Sequence, residues 1–245
     1  MNLYDPIIRD AKGLVGSSAP RKYAYDPADA WEDTGAFELV MLRDAAYELG
    51  GSGKSAVNFT CVTTSQELVP QDEILVCGPD LNELTGDSSY ARVALLRVGD
   101  IESDDEDDTE QAFRAIQDMD FVKYHVFPKG YMMRTSSESS REQVRISRDA
   151  VRRGMTFRRI GADFICQYRK NPHILAVKLL FITAPDADYD ALAKSAKTVK
   201  DITMSLTKIL EGMPTDCGSC NLKAICDEVE GMRELHFGKE HHTTE

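Results

Sequence analysis

The sequence has no apolar run approaching the roughly eighteen residues that a membrane-crossing helix requires, which makes a folded body in water the expectation. Cysteine is scarce as well. Six in 245 residues are too few for a disulfide-built scaffold, so the thiols are expected to be reduced and clustered ones to serve a metal. Positive charge is outnumbered, with 29 Lys and Arg against 41 Asp and Glu and a net charge of -12. This argues against a general nucleic-acid binder, whose affinity for phosphates comes largely from Lys and Arg. The opening MNLYDPIIRDAKG lacks the basic start and apolar stretch of a secretory signal, and the expected location is the cytoplasm. Partners are therefore sought among proteins and small anions rather than membranes or nucleic acid.

With 42% hydrophobic residues, the chain is long enough for one sizeable core or two small ones. Residues 1–34 are rich in Gly, Pro, Ser and Asp and predict an irregular arm with at most one short helix. FELVMLRDAAYELG, 37–50, has helical apolar spacing closed by Gly. SAVNFTCVTT, DEILVCGPDLNEL and ARVALLRVG are β-prone runs. Residues 110–127 suggest a helix leading into an extended stretch, 141–154 and TFRRIGADFICQYRKN predict helices, ILAVKLLFIT a strand, and 186–212 a long amphipathic helix. The expected class is α/β or α+β: a mixed sheet flanked by helices over 35–212, followed by a cysteine-rich metal-binding segment and tail over 213–245.

Three local patterns carry chemistry or imitate it. GGSGKS, 50–55, ends like a Walker A loop, but the position of its first Gly is occupied by Glu48 and a helix is predicted before it, so a plain loop is expected. Seven Asp or Glu fill the nine positions from Glu102 to Glu110, which predicts a solvated loop or, less in keeping with such runs, a strip for a basic partner. Between Arg134 and Lys170, ten Arg and Lys face only four acidic residues. Arg141, Arg145, Arg148 and Arg152 fall at i, i+4, i+7 and i+11, one face of the predicted helix, where like charges repel by a few tenths of a kcal/mol per pair. Either their stems cover apolar surface and their charges pair locally, or they form an anion site suited to phosphate or carboxylate, with a phosphorylated cofactor such as coenzyme A as a candidate.

PTDCGSCNLKAICDE sets Cys217, Cys220 and Cys226 in a C-x2-C-x5-C pattern. The first pair allows two thiolates from one tight turn to meet the same centre, with Gly218 and Ser219 easing the turn. A [4Fe–4S] cluster takes thiolates in this way and is preferred over zinc, which wants four closed positions. The fourth ligand is open among Cys61, Cys77, Cys166, His236 and a partner residue, although the first three suit core positions better. His125 and Asp227 are the only hints of acid–base chemistry.

The stretch VRISRDAVRRGMTFRRIGADF, then AVKLLFIT and the cysteines, resembles the β subunit of the carbon monoxide dehydrogenase/acetyl-CoA synthase family over roughly residues 70–226. Arg145, Ile146, Ser147, Asp149, Ala150, Gly154, Ile160 and Gly161 carry the pattern, and CGPDLNEL looks like its upstream segment. The resemblance implies an α/β middle domain whose arginines bind coenzyme A, a following iron–sulfur segment, and a place in an anaerobic assembly beside other subunits or a ferredoxin-like electron carrier. Two departures stand out. Gln143 occupies the place of a family Trp, and the cysteines match only the opening of the family's metal-binding pattern, with no later Cys-Gly-Cys to hold nickel. The expectation is an iron–sulfur component that does not make acetyl-CoA alone, with a structural-zinc interaction module as the alternative.

Overall fold

The computed structural model describes residues 3–11, 13–31, 46–51, 53–99, 118–119, 121–136 and 139–210. The predicted acidic loop and all of 213–245 lie outside the described residues. Two sheets form the body. The larger has the strand order β1(Arg21–Ala24), β4(Glu73–Cys77), β8(Ile174–Ile182), β5(Tyr90–Val98) and β3(Ala56–Thr63). It is mixed, since β4–β8 and β5–β3 run parallel while β1–β4 and β8–β5 run antiparallel. The smaller has the order β2(Ala46–Leu49), β7(Arg141–Ser147) and β6(Tyr131–Ser136), antiparallel throughout. A mixed α/β fold with a mixed sheet is as expected.

All of β3 and nearly all of β5 and β8 are buried, as strands covered on both faces must be. Thr63 on one face of β3 donates to Asp5 of α1(Asp5–Ala11) at 2.7 Å. The helix α4(Tyr189–Leu210) packs against β3 and α1. Asn58, of opposite parity on β3, points instead to β7. On that same side lies α3(Phe157–Tyr168), against β4 and β8. Gly161 is what lets α3 come so close, because a Cβ there would stand 2.9 Å from two carbons of Ile74. Asp80, in the CGPD turn, accepts from the Phe157 N–H at 2.8 Å and the Leu81 N–H at 2.6 Å, so a carboxylate serves the positive end of α3. The turn itself needs Gly78, whose φ is 103° and whose position would drive a Cβ to 2.3 Å from the Ala184 nitrogen.

Three sequence expectations are corrected. Residues 46–49 of the predicted helix 37–50 form strand β2, with Tyr47 and Leu49 inward and Glu48 outward; the rest of that helix lies outside the described residues. Residues 21–24, assigned to an irregular arm, form an edge strand. Most important, 141–154 is not one helix. It is β7 followed by the short helix α2(Arg148–Arg152), capped by Ser147, whose hydroxyl accepts from the Ala150 N–H at 3.2 Å. The reason is a period of two: Glu142, Val144 and Ile146 are buried while Arg141, Gln143 and Arg145 are not.

The two sheets are clasped by a buried polar network. Arg92 on β5 donates from Nε to Glu142 Oε1 at 2.9 Å and from Nη2 to Oε2 at 2.6 Å, with both side chains at 0% exposure. Asn58, opposite Arg92 across β3–β5, donates to the same carboxylate. Tyr90 donates to Glu142 at 3.3 Å and its hydroxyl lies 2.9 Å from that of Tyr131. The Arg92 guanidinium also lies 4.3 Å from the Phe164 ring centroid, within reach of cation–π attraction. Burial pushes the Tyr90 and Tyr131 hydroxyls above the usual range. Breaking a buried pair leaves an uncompensated charge and costs about 3–5 kcal/mol, whereas loss of one neutral hydrogen bond costs about 1 kcal/mol. Glu142→Leu should therefore lower unfolding free energy in urea by about 3–5 kcal/mol, and Tyr131→Phe by about 1 kcal/mol. Equal small losses would show that Glu142 is not charge compensation for Arg92.

Candidate anion-binding surface and metal-ligand segment

The outer face of the small sheet follows from the register of β7. Arg141, Gln143 and Arg145 share that face because they are two apart. Across β6, Met132 stands opposite Arg145, Arg134 opposite Gln143 and Ser136 opposite Arg141. Across β2, Glu48 stands opposite Arg145. Arg145 donates to Glu48 Oε1 from Nε at 2.8 Å and Nη2 at 2.6 Å. Arg134 is thus diagonal to both Arg141 and Arg145, a spacing of about 7–8 Å between such positions.

Most of the remaining basic stretch is committed locally. Arg153 pairs with Asp149, Arg158 with Asp29 at 2.7 Å and Arg169 with Asp72 at 3.8 Å, while the Arg159 guanidinium lies 5.2 Å from the Trp31 ring centroid. Arg134, Arg141, Arg148 and Arg152 have no carboxylate partner among the described residues. Arg148 reaches only the Ala46 carbonyl, at 3.4 Å. The four arginines singled out in the sequence therefore do not form one helical stripe. Arg141 and Arg145 are on a strand and Arg148 and Arg152 on α2. Seven residues of extended chain separate Arg141 from Arg148 by roughly 20 Å, too far for one small anion to meet both. The sign that could have shown this is the alternation of Glu, Val and Ile with Arg and Gln in REQVRIS. Arg92 was legible too: an arginine inside a buried strand demands a carboxylate.

GGSGKS joins β2 to β3, so it follows a strand, not the predicted helix, and opens no helix. Its geometry is that of a strand-to-strand turn, with Gly50 and Gly53 at φ of 70° and 79°. His125 ends a one-turn 3-10 segment and is exposed.

Cys217, Cys220 and Cys226, the expected metal ligands, lie outside the described residues. Among the described residues no group of three His, Cys, Asp or Glu could hold an ion. The other cysteines narrow the donor set. Cys61 and Cys77 are fully buried in β3 and β4, the core positions expected of them, and burial pushes both thiols up, Cys77 to about 12. Cys166, expected in the core, is exposed on α3. A donor set of three clustered thiolates fits an iron–sulfur centre with one further ligand, and fits zinc on the same terms.

Burial also perturbs one carboxylate of α3. Asp163 on α3 accepts from the Trp31 N–H at 3.1 Å, while its buried Oδ2 has no partner among the described residues. The Trp31 indole donates to the Lys129 carbonyl at 2.9 Å. Burial raises the Asp163 carboxyl to about 6, against the Trp31 N–H and Arg159, which lower it. The folded chain thus holds this proton more tightly than the unfolded chain, whose aspartates titrate near 3.9. Its contribution is fullest below about pH 4 and falls as pH rises to about 6. Asp163→Asn, which keeps an acceptor for Trp31, should flatten the variant-minus-parent stability difference outside pH 4–6 and favour the variant above pH 6. Urea titrations across that range test it, and a constant difference from pH 4 to 7 would contradict it.

No curated protein matches the chain. The family model of the CO dehydrogenase/acetyl-CoA synthase complex beta subunit matches residues 34–187, beginning earlier than the sequence resemblance suggested and ending before the cysteine segment. The matched span includes β2 through β8, with the clasp of Arg92 and Glu142, the arginine face and Gly161. The chain belongs to the CO dehydrogenase/acetyl-CoA synthase beta-subunit family.

Proposed function

We propose that the chain is an iron–sulfur component of a CO dehydrogenase/acetyl-CoA synthase-type assembly, with Cys217, Cys220 and Cys226 holding a [4Fe–4S] cluster. The observation that carries this reading is a C-x2-C-x5-C triplet on a chain of the beta-subunit family. Such a cluster, when bound, supplies one-electron transfer or, at an iron without a protein thiolate, a Lewis-acidic position. Core burial of Cys61 and Cys77 supports a centre that draws its fourth ligand from Cys166, His236, a non-cysteine group or another subunit. Other subunits or a ferredoxin-like carrier are the partners this role requires.

The reading includes an anion site on α2. Arg148 and Arg152 are at i and i+4, which puts them on one side of a helix, and both are exposed without a carboxylate partner among the described residues. A pair of guanidiniums suits the phosphates of coenzyme A. Their task is to bind and orient, and no acid or base for a chemical step is assigned.

Anaerobically prepared protein should carry about four iron and four sulfide per chain with broad visible absorption, lost in Cys217→Ser/Cys220→Ser. A version ending at Gly238 controls for adventitious metal at HFGKEHH. Zinc without sulfide would instead support the interaction-module reading, and absence of any metal would refute the centre. Coenzyme A affinity, measured by calorimetry, should fall at least about tenfold in Arg148→Gln/Arg152→Gln. An unchanged affinity would remove the anion site.

A further inference from the structure

The sheet arginines remain once α2 has its ligand. Arg134, Arg141 and Arg145 stand on the outer face of the small sheet, and the carboxylate of Glu48 answers only Arg145. This concentration is not a product of general basicity, since the chain carries -12. Diagonal like charges on a sheet are unfavourable, so the surface is more stable with anions against it. β6 is also the last strand of its sheet, with no strand beside its outer edge among the described residues. Met132, Arg134 and Ser136 project from one face of it, and Met132 is 40% exposed.

From these features we infer that the edge of β6 and the adjoining arginine face dock an acidic extended segment of a partner polypeptide, which adds as a strand beside β6. Its backbone would satisfy the outer N–H and C=O groups of β6, and every second side chain would fall beside Met132, Arg134 and Ser136. Carboxylates at those positions meet Arg134 directly and Arg141 diagonally behind it. An edge that no described strand covers selects a polypeptide over a small phosphate, because only an extended chain uses both the edge and the face. Nucleic acid is opposed by the charge of the rest of the chain. Protection of an exposed edge by charge accounts for Arg134 but not for Arg141, which is on the inner strand β7.

The probe is a fluorescein-labelled ten-residue peptide alternating Glu and Val, titrated into the full chain at low and high salt and followed by anisotropy. A Lys–Val counterpart and a version with two central prolines serve as comparisons. The expected result is binding by the Glu–Val peptide alone, weakened by salt, weakened at least tenfold in Arg134→Gln/Arg141→Gln, and accompanied by slower hydrogen exchange at β6 amides. Circular dichroism confirms that the variant is folded; if it is not, the proline and lysine peptides decide the matter on the parent chain. No binding at low salt would overturn the proposal, as would equal binding of the proline peptide or an unchanged affinity in a folded arginine variant. Cys217→Ser/Cys220→Ser should bind the peptide as the parent does, so the result stands apart from the fate of the metal centre.

Discussion

A carboxylate on the inner face of one sheet meets a guanidinium from the other, and the arrangement of everything outside depends on it. Glu142 projects from β7 into the body and is held by Arg92 and Asn58 of the large sheet, with both members of the ion pair fully buried. Such a pair adds little net stability over well-packed apolar residues, because desolvation consumes most of the Coulomb gain. Its effect is on register. A one-residue slip of β7 would turn Glu142 to water, leave Arg92 buried and uncompensated, and carry Arg141 and Arg145 inward. The alternation that hides one charge is the alternation that displays the others.

The second constraint is close approach. Gly161 permits α3 to lie on Ile74, and Asp80 of the CGPD turn ties the start of that helix to the end of β4. Burial raises the Asp80 carboxyl, although the Phe157 and Leu81 N–H groups hold it the other way, so this contact has an electrostatic cost offset by oriented donors. These residues fall in the segments that resemble the beta-subunit family, CGPDLNEL and the run ending in Ile160 and Gly161. Their roles in this fold are packing and capping, which explains that resemblance without assigning them chemistry. The groups left for binding are the arginines without a carboxylate partner among the described residues, Arg148 and Arg152 on α2 and Arg134 and Arg141 on the small sheet, two surfaces separated along β7.

Much of the fold was legible in residue patterns. VNFTCV, ILVC and VALLRV are apolar and β-branched enough to specify buried strands, and TFRRIGADFICQY has the spacing and Thr cap of α3, where the Thr156 hydroxyl accepts from the Arg159 N–H at 3.4 Å. The failure at 141–147 is instructive. Arginines four apart satisfy a helix, but positions four apart also share a face of a strand, so the charges alone could not decide; the buried Glu, Val and Ile between them could. A buried Glu142 was unreadable without Arg92, fifty positions away in sequence, because only tertiary pairing makes that burial tolerable. The cysteine triplet is legible as chemistry and lies outside the described residues, so its geometry rests on spacing alone.

Charge complementarity between Arg92 and Glu142 fixes the two sheets together. A double-mutant cycle with Arg92→Met and Glu142→Leu tests this most directly through unfolding free energies. The double variant should be more stable than either single one, so that the coupling exceeds the single loss of about 3–5 kcal/mol. Additive losses, with the double variant the least stable of the three, would contradict it.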